Sequence, residues 1–232
     1  MANLEGAIYR HSPWALSDLS CWQLVVDELQ AKPRALKKAT ILYNLGDSPG
    51  KLFLIESGRV NISVADEKGN EKYIFVLGEG CILGEIALLG EDVVRTSAIT
   101  ASPVVLYEIP GRYITERLKT DLELNQAITR SLLKKINLLT RQVEITCFYD
   151  SSYRVIENIY HMMEQFGRRD ESGGVLIEKR FTHQEMANLV GVTRVTVSNI
   201  FLKMEREGLI EKRNSKIYVK DPKRLGEQLK ET

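Results

Sequence analysis

Arg194, Val195, Ser198 and Asn199 place a charge, a methyl-bearing side chain, a hydroxyl and an amide within six residues. Read as a helix, the same stretch sends Val197, Ile200, Phe201 and Met204 to the opposite side at helical spacing. The outward set carries the chemistries that read base edges in a DNA groove. Such side chains need a rigid support, and the flanking residues supply one. Thr182 followed by Glu185 is a capping box that starts a first short helix, and Gly191 ends it. Thr193 caps the second helix and Gly208 stops it. Met186, Ala187 and Val190 of the first helix are the expected partners of the apolar side of the second. Two capped helices joined through a glycine turn have the form of a helix-turn-helix, whose second helix enters the major groove. An ordinary helical hairpin is the alternative. Leu209 to Val219 reads as two strands around an Asn214-Ser215 turn, a small wing.

A second constellation lies within Gly84 to Ala98. A turn of helix is expected at Glu85 to Leu89, followed by Arg95 and Thr96. Backbone donors at a helix start, a guanidinium and a hydroxyl together make a compact anion site, with Glu85 free to accept from a sugar hydroxyl. A Glu85 to Arg95 ion pair that merely ties the loop down accounts for the same residues equally well.

The totals bound the class. A chain of 232 residues is long enough for two domains, and 44% hydrophobic content suits a soluble globular protein. With 32 basic and 31 acidic residues the formal charge is +1, which argues against a generally basic nucleic-acid coat. Lys203, Arg206, Lys212, Arg213, Lys216, Lys220, Lys223 and Arg224 do cluster late, but Glu205, Glu207, Glu211 and Asp221 are interleaved with them as on a plain solvated surface. Met1 to Trp14 lacks the pattern of a signal peptide and no stretch is long enough to span a bilayer, so a cytoplasmic location is expected. Cys21, Cys81 and Cys147, and His11, His161 and His183, are scattered without metal-ligand spacing. Nothing forms a Ser-His-Asp set or a nucleophile elbow, so no enzyme is expected.

The elements that position these residues follow from patterning. Ser12 to Leu29 reads as a helical lead-in with Trp14, Trp22, Leu24, Val25 and Leu29 to bury. Short β-prone runs follow at Thr40–Leu45, Leu52–Glu56, Val60–Val64, Tyr73–Leu77 and Val104–Ile109, punctuated by glycine and turn residues, which implies a small sandwich or barrel. A long helix is expected from about Asp121 to Thr146. Its Leu132, Ile136, Leu139 and Val143 recur at 4-3-4 spacing, as in a seam for a parallel partner helix or a core-facing stripe. Asp150 to Tyr153 reads as a hinge, Arg154 to Gln165 as a helix, and Gly167 to Gly174 as an exposed loop.

Taken together these residues resemble the CRP/FNR superfamily of bacterial transcription regulators, over nearly the whole chain. The resemblance implies an α+β fold: an N-terminal cyclic-nucleotide-binding-type β-roll over residues 1–119, a long dimerisation helix over 120–149, and a C-terminal winged helix-turn-helix over 150–232. The ten-residue step from Glu85 to Arg95 matches the family's phosphate-binding cassette, in which the glutamate holds the ribose hydroxyl while the arginine and the next hydroxyl residue hold the cyclic phosphate. By resemblance the effector contacts are Gly84, Glu85, Ile86, Arg95, Thr96 and Thr140, and the DNA contacts are Thr182, His183, Arg194, Val195, Thr196, Ser198, Asn199 and Lys203. The cofactor it admits is cyclic AMP or a related cyclic nucleotide. Where cyclic-AMP-responsive members carry a Thr-Ser pair on the long helix, this chain has Leu139 and Thr140, so one adenine-contacting hydroxyl is missing. The alternatives are a non-nucleotide acid, such as a phenolic or halogenated aromatic acid, and a constitutive regulator without effector. A haem-ligating histidine in the roll and the N-terminal cysteines of a cluster-binding member are absent. The implied partners are a second copy of the chain, a palindromic double-stranded operator, RNA polymerase and the small effector, with no membrane. Where the catabolite-activator branch reads DNA with arginine, glutamate and arginine, this chain has Arg194, Val195 and Asn199, which points to half-sites rich in A and T.

Overall fold

The structure, a computed structural model, describes residues 14–15, 17, 20–90 and 93–230. The chain divides into two compact units that part within one helix, between Leu139 and Thr140. No helix among the described residues is long and apolar enough to cross a membrane.

The first unit is a β-roll of two sheets. After β1 (Trp14–Ala15) and α1 (Ser20–Glu28) come β2 (Arg34–Leu36), β3 (Ile41–Tyr43), β4 (Lys51–Ser57), β5 (Val60–Ala65), β6 (Glu71–Leu77) and β7 (Ile82–Leu83). Helix α2 (Glu85–Leu89), β8 (Ser97–Thr100), β9 (Val104–Pro110) and α3 (Gly111–Arg117) complete it. The sheets run β1-β6-β5-β8-β3 and β2-β9-β4-β7. Strand β4 shows why the roll needs helices. Its Phe53 and Ile55 join Val60, Ile62, Phe75, Leu77 and Leu106 between the sheets, while Leu52 and Leu54 face outward into a second cluster. Trp22 and Val25 of α1, Ile114 of α3, and Leu124 and Ile128 of the long helix α4 (Leu122–Phe148) cover that outer face. Each such side chain contributes about 1.5–3 kcal/mol on burial.

All five predicted strands are present, with no end shifted by more than two residues. Strands β1, β2, β7 and β8 were not expected, and β1 corrects the start of the helical lead-in. The first three span two, three and two residues, too short for an alternating pattern to register, and the four-residue β8 joins β5 to β3. Of the lead-in, Ser20–Glu28 is helical with Trp22 and Val25 buried. His11 and the side chains of Trp14 and Cys21 lie outside what the structure describes.

The second unit takes over from Thr140 with the end of α4, then α5 (Ser151–Phe166), β10 (Gly167–Arg169), β11 (Val175–Ile177), α6 (His183–Val190), α7 (Arg194–Arg206), β12 (Ile210–Arg213), β13 (Lys216–Val219) and α8 (Pro222–Glu227). Its sheet runs β10-β11-β13-β12. Two expectations need correction. Helix α5 begins three residues before Arg154, because the Asp150 carboxylate accepts from the Tyr153 amide and caps it. The stretch Gly167 to Gly174 is a hairpin and not a plain loop: Gly167 pairs with Ile177 and Arg169 with Val175. Its turn is closed by the Asp170 carboxylate, which accepts from the amides of Ser172 and Gly174. The wing matches its prediction. Asn214 and Ser215 both adopt positive φ, 48° and 61°, as a two-residue hairpin turn between β12 and β13 requires.

Gly84 joins β7 to α2 at φ 96°, and a Cβ there would lie 2.6 Å from the Lys51 carbonyl oxygen. Gly84→Ala should therefore lower stability by about 1–3 kcal/mol. Urea unfolding of the full chain reads this directly, and a wild-type midpoint would mean that the junction relaxes without cost.

Candidate functional site

Helix α2 opens with Glu85, whose side chain is driven inward to 1% exposure. A carboxylate so buried needs a counter-charge, and α4 supplies it. Lys135 stands on the inward stripe of α4, between Ile128 and Leu138, and its Nζ lies 2.5 Å from Glu85 Oε1. The same ammonium donates to the Ile82 carbonyl at 2.9 Å, so one cation ties α4 to β7 and to α2. Glu85 Oε2 is buried and has no hydrogen-bond partner among the described residues. Glu85 thus forms its ion pair not with the Arg95 considered for it but with Lys135 of the long helix, a residue that sequence reasoning missed. Its signal was a lysine in an apolar stripe.

Tyr43 of β3 is the second group that was missed. Burial raises its phenol well above the ordinary range, the Glu85 charge adds to that, and a hydrogen bond with Thr96 works against it. The structure therefore brings Glu85, Lys135, Tyr43 and Thr96 to one place. Arg95 is exposed nearby in sequence, Ile86 is 54% exposed on α2, and Thr140 is exposed on α4 where the second unit begins.

In the second unit the capping box of α6 is complete: Thr182 Oγ1 accepts from the Glu185 amide and the Glu185 carboxylate accepts from the Thr182 amide. Gly191 follows at φ 72°. Thr193 caps α7 by accepting from the Thr196 amide. Met186, Ala187 and Val190 are buried with Val197, Ile200, Phe201 and Met204. Arg194, Val195 and Asn199 stand exposed on the far side of α7, Val195 at 68%. Lys203 is exposed and 3.9 Å from Glu207.

The hydroxyls are engaged locally. Thr196 meets the Thr193 hydroxyl at 2.8 Å, and Ser198 donates to the Arg194 carbonyl at 3.0 Å. Because that spends the only proton of Ser198, the 2.9 Å contact between Ser198 Oγ and His183 Nδ1 needs the imidazole as donor. The ring packs on Phe201 with centroids 4.7 Å apart. Burial, then the charges of Lys212 and Arg194, hold the imidazole below its usual 6.5. Among the described residues no group of His, Cys, Asp and Glu could hold a metal.

Residues 33–121 match the family model described as cyclic nucleotide-binding domain, and residues 153–228 match the Crp-like helix-turn-helix domain. In both matched stretches the chain is similar to the CRP/FNR regulators. It is 27% identical to the global nitrogen regulator of Nostoc sp., over 79% of this chain and 82% of that protein. It is 26% identical to the cAMP-activated global transcriptional regulator of Haemophilus influenzae, over 78% and 80%. The fold is similar to that of the c-di-GMP-responsive global regulator of Xanthomonas campestris, with a TM-score of 0.76 at 22% identity, covering 88% of this chain and all of that one. The chain is an effector-responsive, DNA-binding transcription regulator.

Two outcomes follow from this geometry. Lys135→Met leaves the Glu85 charge buried without its partner and should cost about 3–5 kcal/mol in chemical unfolding, whereas adding Glu85→Leu should recover much of the loss. A single variant as stable as wild type would deny the pair its structural role. For His183 the folded value is depressed, so the unfolded chain takes the proton first and stability falls as pH drops below about 6.5 toward the folded value. Thermal melts between pH 7.5 and 5 should show a shallower decline for His183→Gln than for wild type; parallel declines would count against a neutral, half-buried imidazole.

Proposed function

We propose that the chain acts as a homodimer in which a small anionic effector, a cyclic nucleotide in the first instance, enters beside Glu85, Arg95 and Thr96 and shifts the balance between arrangements of two recognition helices. The observation that carries the effector assignment is Glu85 itself. One of its buried oxygens is neutralised by Lys135, and the other has no hydrogen-bond partner among the described residues. A ligand hydroxyl is the simplest group to satisfy it, and Arg95 and Thr96 follow at the spacing that suits an anion.

The dimer rests on the outer face of α4. Leu132 packs inward against the roll, but Ile136, Leu139 and Val143 remain 55%, 40% and 62% exposed. An apolar row of that length on a long helix suits burial against its own copy. Two copies related by a two-fold axis would present two α7 helices to a palindromic operator, with half-sites about one helical turn apart. Arg194, Val195 and Asn199 would read base edges, while Thr182, His183, Thr196 and Ser198 would hold that surface in shape and Lys203 would meet the backbone. RNA polymerase is the further partner that the family implies, with the β10–β11 hairpin as its contact. The missing hydroxyl at Leu139 supports a second reading, in which the same cassette takes a non-nucleotide acid.

Calorimetry with cyclic AMP, on wild type and Arg95→Gln, separates the two. Micromolar binding lost in the variant would support the cyclic nucleotide, and absence of binding to wild type would overturn it in favour of the acid. Selection from a random DNA pool tests the rest: A/T-rich palindromes are expected. Arg194→Ala should weaken the selected site by about 10–100-fold with the dimer intact. A G/C-dominated half-site that is insensitive to Val195→Glu would sink the base-reading assignment.

A further inference from the structure

Outside both sites the second unit buries a cluster of charge. Arg141, on the last turns of α4, and Glu157, two turns into α5, are 9% and 2% exposed and form an ion pair through Arg141 Nη2 and Glu157 Oε1. Arg141 Nη1 also meets Glu144 at 2.7 Å, and His161 Nε2 lies 3.9 Å from the same Glu157 oxygen. Over the joint between the helices, the rings of Tyr149 and Tyr153 stack at 4.0 Å, and the Arg141 guanidinium lies 5.8 Å from the Tyr149 ring. Among the described residues Glu157 Oε2 and Arg141 Nε have no hydrogen-bond partner.

Such a pair is a poor way to gain stability. Desolvating two ions costs about as much as their attraction returns, and apolar residues of similar volume often serve as well or better. What the pair does is penalise other geometries. Only Tyr149 and Asp150 separate α4 from α5, so without further contacts the joint would permit many crossing angles. With the pair in place, any crossing that parts the two helices strands a carboxylate in an apolar setting.

We propose that Arg141 and Glu157 are positioning residues for DNA binding: their buried pair fixes α5, and with it the helix-turn-helix packed on α5, against the end of the dimer helix. The inference rests on the DNA-binding reading above, and it adds to that reading the place where the recognition helices are aimed. Helix α5 touches both α6 and α7, so a change in its crossing is passed on to the recognition surface.

The test compares Glu157→Gln, Arg141→Met and the double variant Arg141→Met/Glu157→Leu, all in the full chain, by two independent readouts. Affinity for the DNA that wild type enriches from a random pool should fall roughly tenfold or more in Glu157→Gln, and should stay low in the double variant even where its thermal stability matches wild type. Hydrogen exchange, which needs no DNA, should show lost protection over residues 149–158 while α6 and α7 keep theirs. A double variant with wild-type affinity would make the pair merely structural. Unchanged exchange at the joint in Glu157→Gln would overturn the proposal outright. Failure of wild type to enrich any sequence would instead remove the base-reading assignment and leave the exchange measurement to decide the joint.

Discussion

The ammonium of Lys135 is buried against the carboxylate of Glu85, and the cassette cannot be understood apart from that contact. A carboxylate at 1% exposure is tolerable only when paired, and the partner comes from a helix fifty residues away in the chain. The same lysine satisfies the Ile82 carbonyl at the end of β7. Three elements, β7, α2 and α4, are therefore held by one cation. The second oxygen of Glu85 thus belongs to a group that already restrains the long helix.

Helix α4 uses this solution twice. Six residues after Lys135, Arg141 is buried against Glu157. Each of the two compact units thus anchors its part of the helix with a desolvated ion pair rather than with apolar packing alone. Apolar contacts tolerate sliding and rotation, because one methyl group serves nearly as well as another. A buried pair does not, since separating it by a few ångströms exposes its full desolvation penalty. The surface of the same helix is left to Ile136, Leu139 and Val143, whose exposure is unfavourable until something covers them.

Local chemistry made much of the second unit legible. The capping box at Thr182 and Glu185, the left-handed Gly191, the cap at Thr193 and the Asn214-Ser215 turn each depend on side chains within a few residues of one another. The β10–β11 hairpin is not legible because Arg168, Arg169, Asp170 and Glu171 carry no alternation, and its place in the sheet is set by the pairing of β11 with β13. The start of α5 was placed late because Ser151 and Ser152 are weak helix formers, a preference that the Asp150 cap overrides.

The linear chain by itself determined the order of the modules, the two-helix motif with its outward Arg194, Val195 and Asn199, and the Glu85, Arg95 and Thr96 spacing, because all of these are set by neighbours in sequence. Tertiary structure alone decided that Glu85 belongs to Lys135, that Tyr43 reaches Thr96, that Ser198 is held by His183, and that Arg141 closes on Glu157. The reason is physical. A charge in an otherwise apolar stripe looks like an exposed residue until folding brings its counter-charge, and only burial turns such a pair into a constraint.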